Sequence, residues 1–350
     1  MNRAKLLKDI PGLLGVTILI VSIVIAVFAY FISPDKSPYA NQMHLELSTL
    51  SPGTEIVFLK KAKSFTPKST FFEQLVSGAA YPYKSIPVSS YTQQNSKIVY
   101  TPFGTNYTKS ISLKDLYTQG DTSPVYQKTF YLGTDKYGRD LLSRLIVATR
   151  ISLAVGCISV LISLLIGITL GLIAGYYGSW IDECILWLIN VVWSIPTLLM
   201  VIAISLALGK GFWQVFIAVG LTMWVEVARV VRGQVLGLKK LEYIQAARVL
   251  GFSDLRIMFK HILPNIMSPI IVISAANFAS AILIEAGLSF LGIGAQAPMP
   301  SWGAMIKNHY SYIILDKAYL ALAPGMAIML LVLALMYVGN MLRAQLNVRT

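Results

Sequence analysis

Six stretches of the chain, approximately 11–32, 151–176, 185–208, 212–231, 266–293 and 319–342, are long and apolar enough to cross a bilayer. A helix rises about 1.5 Å per residue, so spanning a hydrocarbon core of about 30 Å takes roughly 20 apolar residues. Backbone polar groups find no water in that core, and among single segments only helices satisfy their own. The sequence therefore predicts an all-α polytopic membrane protein with six transmembrane helices. Composition agrees: 55% of the residues are hydrophobic, 13% are charged, and the mean hydropathy is +0.65, outside the balance of a soluble domain. The first run follows Arg3, Lys5 and Lys8 and superficially resembles a secretory signal. It is too long for an apolar signal region of roughly 7–15 residues and lacks a clear small-x-small cleavage site, so it is expected to stay as the first helix.

A formal net charge of +13 raises the question of nucleic acid. The basic residues lie beside apolar spans, which membrane topology explains better. With the N-terminus cytoplasmic, the inner side holds Arg229, Arg232, Lys239, Lys240, Arg248, Arg256, Lys260, Arg343 and Arg349. The short outer loops hold Lys210, Lys307 and Lys317. This asymmetry is the positive-inside pattern, and both termini are expected in the cytoplasm. The loop around Asp182 and Glu183 is inner yet carries no basic residue. Cys157 and Cys184 are the two cysteines, too few for a disulfide framework, and no Cys/His cluster has metal-ligand spacing. Neither a metal site nor a resident cofactor is expected.

Three regions follow: a tail with the first helix (1–32), an extracytoplasmic segment (33–145), and a core with five further spans (146–350). The outer segment is polar, but stretches 54–59 and 97–100 have strand character. It reads as a small β-rich insertion, with a poorly ordered spacer as the alternative. Within the spans, Gly167, Gly171 and Gly175 repeat at small-xxx-small spacing, either for close helix packing or because glycine is common in membrane helices. Pro196 and Pro324 permit kinks. Glu226 reads as a residue near a cytoplasmic end that pairs with Arg229 three residues on. Glu285 lies deeper without an obvious partner. It is a candidate for lining a transport pathway, against the alternative of a buried, hydrogen-bonded or protonated carboxyl.

The most informative stretch runs from 242 to 265 inside an inner loop, 233–265. Tyr243, Ala246, Ala247 and Leu250 recur at helical spacing, and Gly251 is placed to end that helix in a left-handed conformation. Ser253 is placed to cap a second helix bearing Leu255, Met258, Phe259 and Ile262, with Pro264 expected to stop it. Two short amphipathic helices either lie along the membrane or present a face to a soluble partner, and the paired alanines favour the partner.

The order Gln245-Ala246-Ala247, Gly251, and Leu263-Pro264 twelve places after that glycine resembles the coupling loop of binding-protein-dependent ABC importer permeases. The usual glutamate is Gln245 here, and the usual apolar residue three places before the proline is His261. The ending Lys260-His-Ile-Leu-Pro-Asn265 and the segment Gly133-Thr-Asp-Lys-Tyr-Gly-Arg-Asp140 are similar to the second permease type of the peptide-importing branch. By themselves the residues of the latter segment read as turn and helix-start signals, with Asp135 or Asp140 as caps.

The resemblance implies that Glu242, Tyr243, Gln245, Ala246, Ala247, Gly251, Leu263 and Pro264 lie at or near the contact with an ATPase subunit. It implies a homologous second permease, two ATPase subunits that hydrolyse ATP, an extracytoplasmic substrate-binding protein, and residence in a bacterial inner membrane. The chain has no G-x-x-x-x-G-K-[ST] phosphate loop, so it is expected to be a pathway subunit and not an enzyme. Nickel or an antimicrobial peptide as cargo of the same fold, or a membrane sensor, are the other readings.

Overall fold

The computed structural model describes residues 9–64, 70–94, 96–118, 123–209 and 211–346. Arg3, Lys5, Lys8, Lys210 and Arg349 of the charge pattern lie outside the described residues. The chain enters through α1 (Ile10–Val27) and the short α2 (Ala29–Ile32). An outer lobe follows, with β1 (Thr54–Ala62), α3 (Phe71–Ser77), β2 (Tyr83–Gln94), β3 (Lys97–Pro102), β4 (Lys109–Ser112) and β5 (Val125–Phe130). The remainder is helical: α4 (Leu141–Tyr177), α5 (Ser179–Trp193), α6 (Thr197–Ala207), α7 (Phe212–Leu238), α8 (Glu242–Val249), α9 (Asp254–Arg256), α10 (Met267–Leu291), α11 (Trp302–His309) and α12 (Tyr319–Leu346).

Among the described residues five helices are long and apolar enough to span, and α5 with α6 makes a sixth if the bent pair is counted as one span. The third expected span is thus not one straight helix, since α5 and α6 meet at 91°. Pro196, at the cap of α6, has no N–H to continue the ladder of α5. The pieces have 15 and 11 residues, about 22 and 17 Å, each shorter than the ~30 Å core. Pro324, by contrast, sits inside a continuous α12.

The small-residue repeat forms a seam. A side chain at Gly171 would meet the Ala228 carbonyl at 2.6 Å and the Val231 Cβ at 2.7 Å. One at Gly175 would meet Val235 at 2.6 Å, and one at Gly167 the Trp224 carbonyl at 2.7 Å. Steps of four on α4 thus match steps of about four on α7, and the two backbones approach as far as glycine allows.

The outer segment is a folded lobe. Its strands form one antiparallel sheet in the order β4-β3-β2-β1-β5, with Leu59 opposite Ile86 on one side of β1 and Val125 on the other. Strand alternation gives both faces a core. Leu59, Val88, Ile98 and Ile111 pack on one face, and Leu47, Ile56, Phe58 and Phe130 on the other.

Directional polar contacts lock the lobe to the membrane core. Asp135, with a side chain 1% exposed, accepts hydrogen bonds from the Tyr137 and Arg139 N–H groups (2.8 and 3.0 Å), pairs with the Arg139 guanidinium at 2.6 Å, and reaches Arg144 of α4 at 3.8 Å. Asp140 is the cap of α4, accepting from the Ser143 N–H at 3.2 Å, and Lys128 of β5 lies 3.2 Å from its other oxygen. Of the two expected caps, Asp140 fills that role and Asp135 is the centre of an ion-pair cluster. Gly138 has φ +69° beneath the His44 carbonyl, a place without room for a Cβ. From α12 and the turn before it, Tyr319 donates to the Leu50 carbonyl (2.8 Å) and Lys317 to Thr49 (2.9 and 2.6 Å).

Candidate functional site

The segment between α7 and α10 turns sharply and then climbs back into the bundle. The last turn of α8 closes as a Schellman motif: the Gly251 N–H donates to Arg248 O and the Phe252 N–H to Ala247 O, both at 3.1 Å. Gly251 has φ +76°, the left-handed residue this closure requires. Ser253 occupies the cap position of the next helix without a side-chain cap bond, so the expected hydroxyl cap is absent.

Pro264 does not stop that helix. The path continues from Asp254 to Leu291 through a wide turn at Ile257–Ile262 and a tight one at Leu263–Ile266. The Leu263 N–H reaches back five residues to Met258 O. A widened turn relieves the clash a proline ring makes with the carbonyl four residues earlier.

Of the four residues grouped by spacing, only Ala247 is buried, and Ile244 joins it on the inward side. Ile244 and Ala247 are 1% and 5% exposed, whereas Tyr243 and Leu250 are 44% and 72% exposed and Ala246 is open. In the second helix Ile257, Met258 and Ile262 are buried and Leu255 and Phe259 are not. The buried set packs on Leu172 and Tyr176 at the end of α4, Val227, Val231 and Val235 of α7, and Ile266 and Ile270, with Leu263 partly buried beside them. Both faces of α8 carry apolar residues, so periodicity alone did not say which one meets the chain's own core.

Polar contacts hold this segment in place. The Tyr176 hydroxyl donates to Asp254 at 2.7 Å, and the Arg248 guanidinium lies 5.0 Å from the Tyr176 ring centre. Hydrogen bonding to the Tyr176 hydroxyl, the largest influence, raises the Arg248 pKa above its ordinary value. Phe252 stacks on His261 with ring centres 5.9 Å apart, and Asn265 donates to the His261 carbonyl at 2.6 Å. Gln245 donates to the Lys240 carbonyl at 3.2 Å, and Glu242 stands exposed in the first turn of α8, where a carboxylate suits the helix dipole. Reading the sequence singled out neither Asp254 nor Ile244; the i, i+3 spacing of Ile244 and Ala247 was the signal available. What remains bare is an apolar strip of Tyr243, Ala246, Val249 and Leu250, with Val249 88% exposed, and Pro264 is exposed nearby.

The acidic loop beside α5 is explained by an ion pair. Asp182 lies in the first turn of α5 and takes both Nε and Nη2 of Arg232, at 2.5 and 2.7 Å. Its partner is thus supplied by α7. Arg229 does not pair with Glu226 as expected; its guanidinium lies 3.5 Å from the Trp193 ring centre. Because α7 runs on to Leu238, Glu226 sits near the middle of the helix and not near its inner end. It is exposed, on a cavity of about 340 Å³ lined also by Trp193, Thr197, Thr222 and Ser280. Glu285 is 1% exposed and accepts a hydrogen bond from Ser289 at 2.6 Å, which is the buried, hydrogen-bonded alternative.

The helical bundle thus carries, between α7 and α10, a segment that packs on the bundle's own core and leaves an apolar strip exposed. Residues 167–349 match the family of binding-protein-dependent transport system inner membrane components. The chain belongs to that family. It is 44% identical over 217 residues to the glutathione transport system permease protein GsiD of Pectobacterium atrosepticum, covering 62% of this chain and 72% of that protein. It is 42% identical to the dipeptide transport system permease protein DppC of Alkalihalophilus pseudofirmus, covering 62% and 71%. It is 43% identical over 181 residues to the oligopeptide transport system permease protein OppC of Bacillus subtilis, covering 52% and 59%. A solved structure of the MetNI methionine ABC transporter in an inward facing conformation aligns at 19% identity and a TM-score of 0.47, over 58% of this chain and 95% of that one.

Proposed function

We propose that the chain is the pathway subunit of an ATP-driven importer of short peptides, of the second permease type, with both termini in the cytoplasm of a bacterial cell. The observation that carries this reading is the bare strip of α8, Tyr243-Ala246-Val249-Leu250, backed by the buried Ile244 and Ala247. An exposed apolar strip on a rigid support fits a groove in a soluble partner. Gln245, Glu242, Tyr243, Ala246 and the turn at Gly251 form the contact with a separate ATPase subunit. Pro264, exposed nearby, flanks it, and Ala247 and Leu263 shape it from behind.

Two ATPase subunits bind and hydrolyse ATP, and this chain holds no cofactor of its own. Their closure moves α8, and α8 moves α4, α7 and α10 through the apolar cluster beneath it. That is a two-state change biased by nucleotide. A homologous second permease completes the pathway, and an extracytoplasmic binding protein delivers the cargo. Glu226, on the open cavity beside the bend at Pro196, is the acidic side chain that faces the path; Glu285 is a buried support. The names of the relatives favour peptides over nickel, and the α8 strip favours a transporter over a sensor.

Mild-detergent purification from the native membrane tests this reading. Recovery of an ATPase subunit and a second permease, with peptide-stimulated ATP hydrolysis in proteoliposomes, is the expected result. A chain that purifies without any ATPase and still binds ligand through its outer lobe overturns it in favour of a sensor.

A further inference from the structure

The outer lobe holds one short helix whose apolar side meets little of the chain. α3 begins with a capping box: Thr70 Oγ1 accepts from the Glu73 N–H at 3.3 Å, and the Glu73 carboxylate accepts from the Thr70 N–H at 2.8 Å. The helix start is therefore locally specified. Yet Phe71, Phe72 and Val76 are 63%, 76% and 63% exposed. Positions 72 and 76 are one helical turn apart and share a side of the helix, while Phe71 projects beside them toward α2. Two phenylalanines and a valine facing water would be an unexplained cost.

Their position in the fold supplies the occupant. The Phe71 ring lies 5.5 Å from the Phe31 ring of α2, and Phe28, Phe31 and Ile32 at the outer end of the first span are themselves 40–49% exposed. The apolar surface of that span thus continues onto α3. Depth comes from Arg150, which donates to the Val76 and Leu75 carbonyls, both at 2.9 Å. Arg150 stands about nine residues into α4, or about 14 Å from its outer end. With 37 residues, α4 is about 55 Å long and exceeds a ~30 Å core by about 25 Å, or about 13 Å at each end when centred. Arg150 and the end of α3 therefore fall at the outer hydrocarbon boundary, where aromatic side chains concentrate and amphipathic helices lie flat.

We infer that α3 is a lipid anchor: Phe71, Phe72 and Val76 insert into the outer leaflet and seat the lobe on the bilayer surface beside the first span. Such anchoring is independent of the cargo and of the ATPase. It is tested with the full chain and its co-purifying subunits in nanodiscs of phosphatidylethanolamine and phosphatidylglycerol. Cys157 and Cys184 are first replaced by serine. Nitroxide labels are then placed singly through Phe72→Cys, Val76→Cys and Ser77→Cys, the last exposed on another side of the helix and outside the capping box, and their accessibility to oxygen and to a water-soluble nickel chelate is compared. Labels at 72 and 76 are expected to favour oxygen and the label at 77 the chelate. Labels that all favour the chelate put α3 in water, and labels at 72 and 76 shielded from both reagents put it against another protein; either result overturns the anchor.

Discussion

On the outer side the lobe is tied to the membrane core by Asp135 with Arg144 of α4, by Lys128 with Asp140 at the start of α4, and by Lys317 and Tyr319 reaching Thr49 and Leu50. On the inner side the segment around α8 is tied to the core mainly by apolar residues, Ile244, Ala247, Ile257 and Ile262 against Val231, Val235 and Tyr176. Directional ion pairs fix one arrangement and fail when a partner is lost. An apolar contact is less directional and transmits force through packing. The outer lobe is thus built as a fixed mount, and the inner segment as a part suited to move with the helices beneath it while displaying a face to a partner.

The largest expected effect breaks the outer mount. Asp135→Ala leaves Arg139 buried without its carboxylate, which costs about 3–5 kcal/mol and is read as a lower unfolding temperature and rapid proteolysis of the lobe in the purified protein. Next is the inner packing: Ile244→Ala is expected to cost about 2–5 kcal/mol locally, seen as faster hydrogen exchange through 242–262 with the lobe unchanged. If both substitutions loosen both regions equally, the division between mount and moving part is wrong.

A smaller effect is acid sensitivity confined to the outer side. Burial, the leading cause in each case, pushes the imidazoles of His44 and His309 below their ordinary pKa. The unfolded chain, with histidine near 6.5, takes up protons first as pH falls. Stability contributed by these groups is complete above about pH 6.5 and drains as pH drops toward the lower folded values. Unfolding temperatures at pH 7.5 and 5.5 check this, and His309→Gln is expected to reduce the difference. Smallest in stability is Val249→Ser on the bare strip, within about 0.5 kcal/mol of wild type, yet it is expected to weaken ATPase-subunit association about tenfold in pull-down titrations.

Much of this architecture was legible because bilayer physics is strict. The long apolar runs gave the spanning helices, Pro196 marked the break, and Gly251 marked the end of α8. The size of the bend was not legible, since a proline says where a helix is interrupted but not the angle. Pro264 misled because the wide turn at Ile257–Ile262 ahead of it absorbs its ring. In the lobe, 54–59 and 97–100 announced β1 and β3. β2 escaped because Pro87 argues against a central strand, yet here it lies one residue before Val88, where the pairing with β3 shifts register. Which side of α8 meets the chain's own core was not legible, because Tyr243 and Leu250 offer apolar surface comparable to that of Ile244. Tertiary packing chose between two hydrophobic sides. For the same reason Ala247→Arg is a poor probe of docking: it places a charge in the chain's own core.

The central claim is that the outward side of α8 grips an ATPase subunit, and site-specific cross-linking tests it most directly. With Cys157 and Cys184 replaced by serine, a photoreactive label on Ala246→Cys in intact membranes is expected to join this chain to a nucleotide-binding subunit, with a yield that changes when ATP is added. Cross-linking to lipid alone, or labelling of Ala246→Cys by an impermeant reagent from outside the cell, would contradict it.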